Sequence, residues 1–429
     1  MQEDFLHYIW KFQKYDFARA ATTAGESVLI QDTGIHNELS GPDFFNSRLK
    51  IGEQLWAGNV EIHLKSSDWY LHRHESDESY DNVILHVVWE HDVEIYRADN
   101  SPIPTLELKN KVPLEVVEKY ELLLSKKARW INCEDSFGKF ERFETAHWLE
   151  RLYFERLEAK SALVSRLLQK TENDWEAVLF QLLAKAFGLN INGESFLSIA
   201  QSFDFKIFRR NQGEILKLEA VLMGQAGFLE KECEDIYFQK LKEEYQYLQH
   251  KYKMSNAEVI KPKFFRLRPD NFPMIRLAQL AKVYAGTAFL LDRIMGAESI
   301  EDFYGIFQVE LNAYWSCHYN FGKEHKPKKK RTTWAFIDLI LINTIIPFQF
   351  AYFKHLGKPV ETILELAEKV PAENNTIVAK FNLLKPAVAL SSMESQALLQ
   401  LKKNYCDLNK CLQCELGLKL LQQKTLQSP

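Results

Sequence analysis

Residues 41–65 read GPDFFNSRLKIGEQLWAGNVEIHLK, and their patterning predicts a β-hairpin. FFNSRLKI (44–51) is one strand, Gly52-Glu53-Gln54 the turn, and LWAGNVEIHLK (55–65) the return strand. Side chains alternate along a strand, so Ile62 and Leu64 point toward a core. Glu61, His63 and Lys65 then form a row on the other face. A turn centred near Gly52 sets Asp43 roughly opposite Glu61. Cross-strand neighbours have Cβ atoms about 5 Å apart. Two carboxylates that close repel unless a cation lies between them, and acidic oxygens completed by water are the usual provision for Mg²⁺. A half-exposed hairpin without chemistry would show the same alternation, and Pro-Asp also opens ordinary turns.

The order Pro42-Asp43, variable hairpin, Glu61 resembles the PD-(D/E)XK nuclease superfamily, whose pattern ends in Glu or Asp, any residue, and Lys. The chain departs from it at the lysine, where His63 stands; Lys65 follows two residues later on the same face. The superfamily tolerates migrated or replaced lysines. The resemblance covers about the first hundred residues. It implies an α/β, restriction-endonuclease-like mixed sheet, Mg²⁺ (or Mn²⁺) held by Asp43 and Glu61, and phosphodiester hydrolysis of nucleic acid. Lys65 would stabilise charge on the phosphate, and His63 would share that role or orient water. Such domains often open with a helix bearing an acid near the metal, for which Glu3 is the candidate. In the loop before Pro42, Asn37 and Glu38 are candidates for positioning water or substrate, although both are also ordinary turn residues. The whole chain also resembles an uncharacterised bacterial family of two-part proteins, which implies no activity.

Around the hairpin, Phe5, Tyr8, Ile9 and Phe12 recur at helical spacing, so residues 1–20 read as a helix, and 27–30 as a short strand. Residues 83–89 form an apolar run expected of a central strand. Residues 94–96 and 105–108 are candidates for further strands. Seven of the twelve histidines (His7, His36, His63, His72, His74, His86 and His91) fall within the first 91 residues, an enrichment that suits a metal or phosphodiester site. His72 and His74 are spaced to reach one transition metal, but a lone His-x-His ranks below the carboxylate pair. His86, inside the apolar run, reads as a hydrogen-bonded core histidine.

The 429 residues suffice for two or three domains, and 46% hydrophobic content is globular. A net charge of -4 confines any nucleic-acid surface to a local patch. The start MQEDFLHYIW lacks a basic signal-peptide opening, and six unevenly spaced cysteines suggest a reducing cytoplasm. From about Pro113 helical spacing takes over, predicting domains at 1–112 and 113–429, the second all-α. Trp334–Phe353 is apolar enough to resemble a membrane span. Asp338 inside it would cost roughly 3 kcal/mol in a bilayer, so a buried helix and no membrane association are expected. Arg268 and Arg276, around Pro269 and Pro273, are candidate phosphate contacts at a helix start that Asn271 would cap; solvated arginines explain them equally. The basic run 322–331, GKEHKPKKKR, reads as a solvated loop and as a second phosphate candidate.

Cys406, Cys411 and Cys414 follow a C-x₄-C-x₂-C spacing that suits zinc or an iron–sulfur cluster, given a fourth ligand from Cys317, His318 or Cys133. Buried apolar cysteines one turn apart are the plainer explanation. Some iron–sulfur nucleases of the resembled superfamily join C-terminal cysteines to an upstream one. The resulting expectation is a metal-dependent nuclease. Its rivals are a non-catalytic interaction protein with a decayed nuclease fold and a protein with a metal site at these cysteines.

Overall fold

The computed structural model describes residues 1–16, 20–37, 39–124 and 129–422. The chain forms two compact units, Met1–Trp148 with Lys402–Pro429, and Leu149–Leu401. Helical patterning suggested a boundary at 112/113, but the first helices after it, Leu114–Leu124 and Glu134–Phe137, belong with the sheet. Tyr120, Leu123, Leu412 and Leu421 share one apolar cluster with the strands. The segment that carries the C-terminal cysteines therefore belongs to the N-terminal unit.

That unit opens with α1 (Glu3–Lys11), which buries Phe5, Leu6, Tyr8, Ile9 and Trp10. Side chains of this size contribute roughly 1.5–3 kcal/mol each when fully removed from water. The helix ends at Lys11 and does not run to residue 20, because Gln13 takes a left-handed conformation at φ 50°. The strands are β1 (Val28–Asp32), β2 (Ile35–His36), β3 (Phe44–Ile51), β4 (Gln54–Lys65), β5 (Val83–Glu90) and β6 (Thr105–Glu107). They make a mixed sheet in the order β1-β3-β4-β5-β6, with β2 also on β3. The pairs up to β3–β4 are antiparallel, and β5 and β6 run parallel to their neighbours. Residues 94–96 form no strand. Tyr96 makes a single bridge to Pro102, which has no N–H to extend a ladder.

The hairpin lies where its sequence places it, with one irregularity. Near the turn the register runs Ile51↔Gln54 to Ser47↔Gly58, but beyond it Phe44 pairs with Val60. One extra residue is therefore accommodated in β3, where Asn46 has φ 59°. On the core face, Phe44, Leu49, Ile51, Val60, Ile62, Leu85, Val87 and Leu106 pack with α1 and with α3 (Leu114–Leu124). A smaller cluster of Trp69, Tyr80, Val83, Ile95 and Ile103 includes Trp69 from the short helix α2 (Asp68–Leu71).

The second unit is helical apart from a small ribbon, His318–Asn320 with Lys323–Glu324. Its helices include Trp175–Phe187, Leu189–Gln201, Ile215–Gln225, Ile236–Tyr252 and Pro273–Gly286. Trp334–His355 is the one helix among the described residues long and apolar enough to cross a bilayer, and 72% of its apolar window is buried. Asp338 within it accepts a hydrogen bond from Tyr304 at 2.7 Å.

Gly58 of β4 fits where β5 comes closest: a Cβ there would lie 2.5 Å from Ile84 Cγ2 and 2.6 Å from the Asn82 carbonyl oxygen. Gly58→Ala should therefore destabilise the sheet unit by about 1–3 kcal/mol. Urea titration should show an earlier midpoint, and an unchanged one would mean that the strands relax freely.

Candidate metal centre

The bulge sets Asp43 across from Glu61, and their carboxylates engage each other's strand. The Asp43 amide donates to Glu61 Oε2 at 3.1 Å, and the Ile62 amide donates to Asp43 Oδ2 at 2.9 Å. Both acids are thereby held on one side of the sheet. Glu61 is only 5% exposed. Burial, and then the Asp43 charge, push its carboxyl well above the usual carboxylate range.

Helix α1 adds Glu3 and His7, four residues apart and so on one helix face. His7 Nε2 lies 3.3 Å from Asp43 Oδ2. Glu3 also feels the Asp43 charge, and burial with Asp43 raises its carboxyl. His36 packs edge-on to the His7 ring at 5.2 Å.

Histidines fill the other flank. His63 Nε2 and His74 Nε2 stand 3.5 and 3.4 Å from Glu61 Oε1. One ligand atom from each of His63, His72 and His74 lies within 4.8 Å of the others. His72 and His74 come from the turn after α2, where Arg73 has φ 62°; His72 is exposed, with its Nδ1 3.1 Å from His63 Nε2, and His74 is half-buried. His74 stacks on Tyr80 at 3.8 Å. His63 Nδ1 shares a 2.8 Å hydrogen bond with His86 Nε2, so His86 orients the His63 ring. Burial holds His63 down at about 3 and His86 well below the ordinary histidine value. Both are neutral near pH 7, the form that binds metals.

This donor set fits divalent cations in two respects. The raised Glu61 carboxyl marks an unbalanced pair of acids that a cation would relieve. Three neutralisable imidazole nitrogens also converge as transition-metal ligands do.

Other candidates lie elsewhere. Lys65 continues the row of Glu61 and His63 but is exposed, and among the described residues its side chain makes no ion pair. Its backbone amide bonds Asp68. Asn37 spends its amide on the carbonyls of Leu39, Ser40 and Pro42, so it shapes the loop that presents Asp43 and does not point free at a substrate. Glu38 lies outside the described residues.

Arg268 and Arg276 belong to the second unit. Arg268 is exposed. Arg276 is buried, bonded to Asn271 and Gln279, and 3.6 Å over the Phe336 ring, so its charge is spent inside the unit. Phe272, not Asn271, occupies the helix cap position, with Pro273 following as expected. The basic run is partly consumed as well: Lys328 pairs with Asp270 at 2.6 Å, and Lys330 is buried against the carbonyls of Trp315 and His318. His318 is held by the Tyr314 carbonyl, and Cys317 lies in the same second unit. Cys406, Cys411 and Cys414 form a separate group with Cys133 in the sheet unit.

Sequence reading placed Asp43, Glu61 and the His72/His74 pair but not His7 or Tyr80. The Glu3/His7 spacing was a usable signal for the first. Tyr80 joins only through the folding of the loop after α2.

A family described as a protein of unknown function, DUF2851, matches residues 3–376. The chain belongs to this family. The matched span takes in every residue of the carboxylate–histidine centre and ends before Cys406. No curated protein and no solved structure matches the chain.

The two buried groups give opposite pH signatures in metal-free protein. Glu61 binds its proton more tightly folded than unfolded, so its contribution to stability is full below about pH 4.5 and is lost as pH rises. His63 is depressed from 6.5 to about 3, so its contribution is full above 6.5 and is lost on acidification. With chelator present, Glu61→Gln should melt above wild type at pH 8, by about 1 kcal/mol or more, with the gap closing toward pH 5. Mn²⁺ should raise the melting temperature of wild type more than that of the variant. A variant less stable than wild type at pH 8 would contradict the unbalanced pair.

Proposed function

We propose that the N-terminal unit is a metal-dependent phosphodiester hydrolase acting on nucleic acid, with a PD-(D/E)XK-like site. The observation that carries this is the meeting of Asp43 and Glu61 through reciprocal backbone hydrogen bonds, with Glu3 and His7 beside them. Asp43 and Glu61 would hold Mg²⁺ or Mn²⁺, and His63, His72 and His74 would favour a softer ion next to it. A bound divalent ion supplies polarisation of the phosphate and a more acidic water. His63, standing where the superfamily has lysine, is fixed by His86 as a ligand and cannot serve as a mobile cation. Lys65, exposed at the end of the row, is the cation free to meet a phosphate oxygen. Its place at the rim is also what a decayed, interaction-only protein would show, and the experiment separates the two.

Purified full-length protein with Mg²⁺ or Mn²⁺ should cleave at least one of a panel of single-stranded, duplex and branched nucleic acids. Glu61→Gln and Asp43→Asn should abolish cleavage. Lys65→Ala should slow it about a hundredfold while leaving Mn²⁺ binding intact. Binding without cleavage across the panel would favour the interaction-only protein.

A further inference from the structure

Four cysteines outside the carboxylate–histidine centre come together from two distant parts of the sheet unit. Cys133 precedes the short helix Glu134–Phe137. Cys406, Cys411 and Cys414 lead into the helix Glu415–Gln422. Cys133 lies within electrostatic reach of Cys411 and Cys414, and Cys406 within reach of all three. Asn132 ties the two segments, donating to Cys411 Sγ at 3.3 Å and to Asn409 Oδ1 at 3.1 Å. All four cysteines are free of disulfides.

The sulfurs are also met by donors. Burial raises the Cys414 thiol, and the backbone amides of Leu416 and Gly417, at the start of the last helix, act against that rise. Gly417 lets the start of that helix pack on the Cys411 backbone, since a Cβ there would clash with the Cys411 carbonyl oxygen. N–H donors aimed at sulfur stabilise thiolates and tune the clusters they bind.

We propose that Cys133, Cys406, Cys411 and Cys414 ligate an iron–sulfur cluster. Four thiolates on a single zinc, at about 2.3 Å each, would crowd to roughly 3.8 Å from one another. Among the described residues only the histidine triad brings three ligand atoms within 4.8 Å, so the sulfurs stand wider than a zinc site needs. A cubane of several irons spreads its thiolates farther. Burial pushes the Cys133 thiol up to about 12 and Cys414 to about 11, so without metal these groups stay protonated and inert. Metal binding would release those protons and fasten the C-terminal segment to the sheet unit. None of this depends on the nuclease proposal.

The test is anaerobic purification of the full chain, followed by iron, acid-labile sulfide and zinc analysis and a visible spectrum. About four iron and four sulfide per chain, with a broad absorbance band near 400 nm, are expected for a [4Fe–4S] cluster. Cys133→Ser and Cys411→Ser should lose the iron, and Cys317→Ser, in the other unit, should keep it. Circular dichroism checks that each variant folds, and the wild-type analysis decides even where one does not. Stoichiometric zinc without iron, neither metal in wild type, or iron retained by a folded Cys133→Ser/Cys411→Ser double variant would overturn the proposal.

Discussion

The site depends on one extra residue in β3. Between the turn and Ser47 the hairpin pairs in a register that, continued unbroken, would set Asp43 opposite Ile62. Ile62 faces the core, so Asp43 would face it too, because a one-residue slip moves every side chain to the opposite face. The bulge at Asn46 shifts the pairing and brings Asp43 across from Glu61. The reciprocal hydrogen bonds then lock both acids in place. A bulge costs a ladder bond and twists the strand, and here that local loss accompanies a self-repelling pair of acids, Glu61 buried and Asp43 half-buried.

Acids outnumber cations at the centre. Glu3, Asp43 and Glu61 crowd together; against the burial that lowers it, Asp43 raises the His7 imidazole beside it, whereas burial keeps His63 and His86 neutral. No lysine or arginine enters the cluster to balance the acids among the described residues. A site of this kind is stable with a proton, or with a cation that carries more charge than a proton. His63 decides between a lysine-type and a histidine-type centre. A lysine there would supply its own positive charge, whereas a neutral imidazole supplies a lone pair and leaves the charge to a bound ion.

Much of this was legible because period-two alternation is local. The row Glu61, His63, Lys65 and the buried run around His86 needed only strand geometry. The Asp43–Glu61 pairing was reached from a turn centred on Gly52; the real turn is centred half a residue later, and the bulge makes up the difference. What the sequence hid is non-local. Arg276 looked like a surface phosphate contact, but Phe336, sixty residues on, covers it. Helical spacing after Pro113 looked like a new domain, but Tyr120 and Leu123 pack on the sheet. The return of the last segment, which singles out Cys133 among the upstream partners, leaves no mark in composition.

The most direct test is anomalous diffraction from crystals of the full chain soaked in Mn²⁺ at pH 7.5. A peak within about 2.0–2.3 Å of carboxylate oxygens from both Asp43 and Glu61 is the predicted result. Crystals with the bulge and the reciprocal hydrogen bonds intact, but with no anomalous peak at the pair, would show that the two acids share a proton and hold no metal.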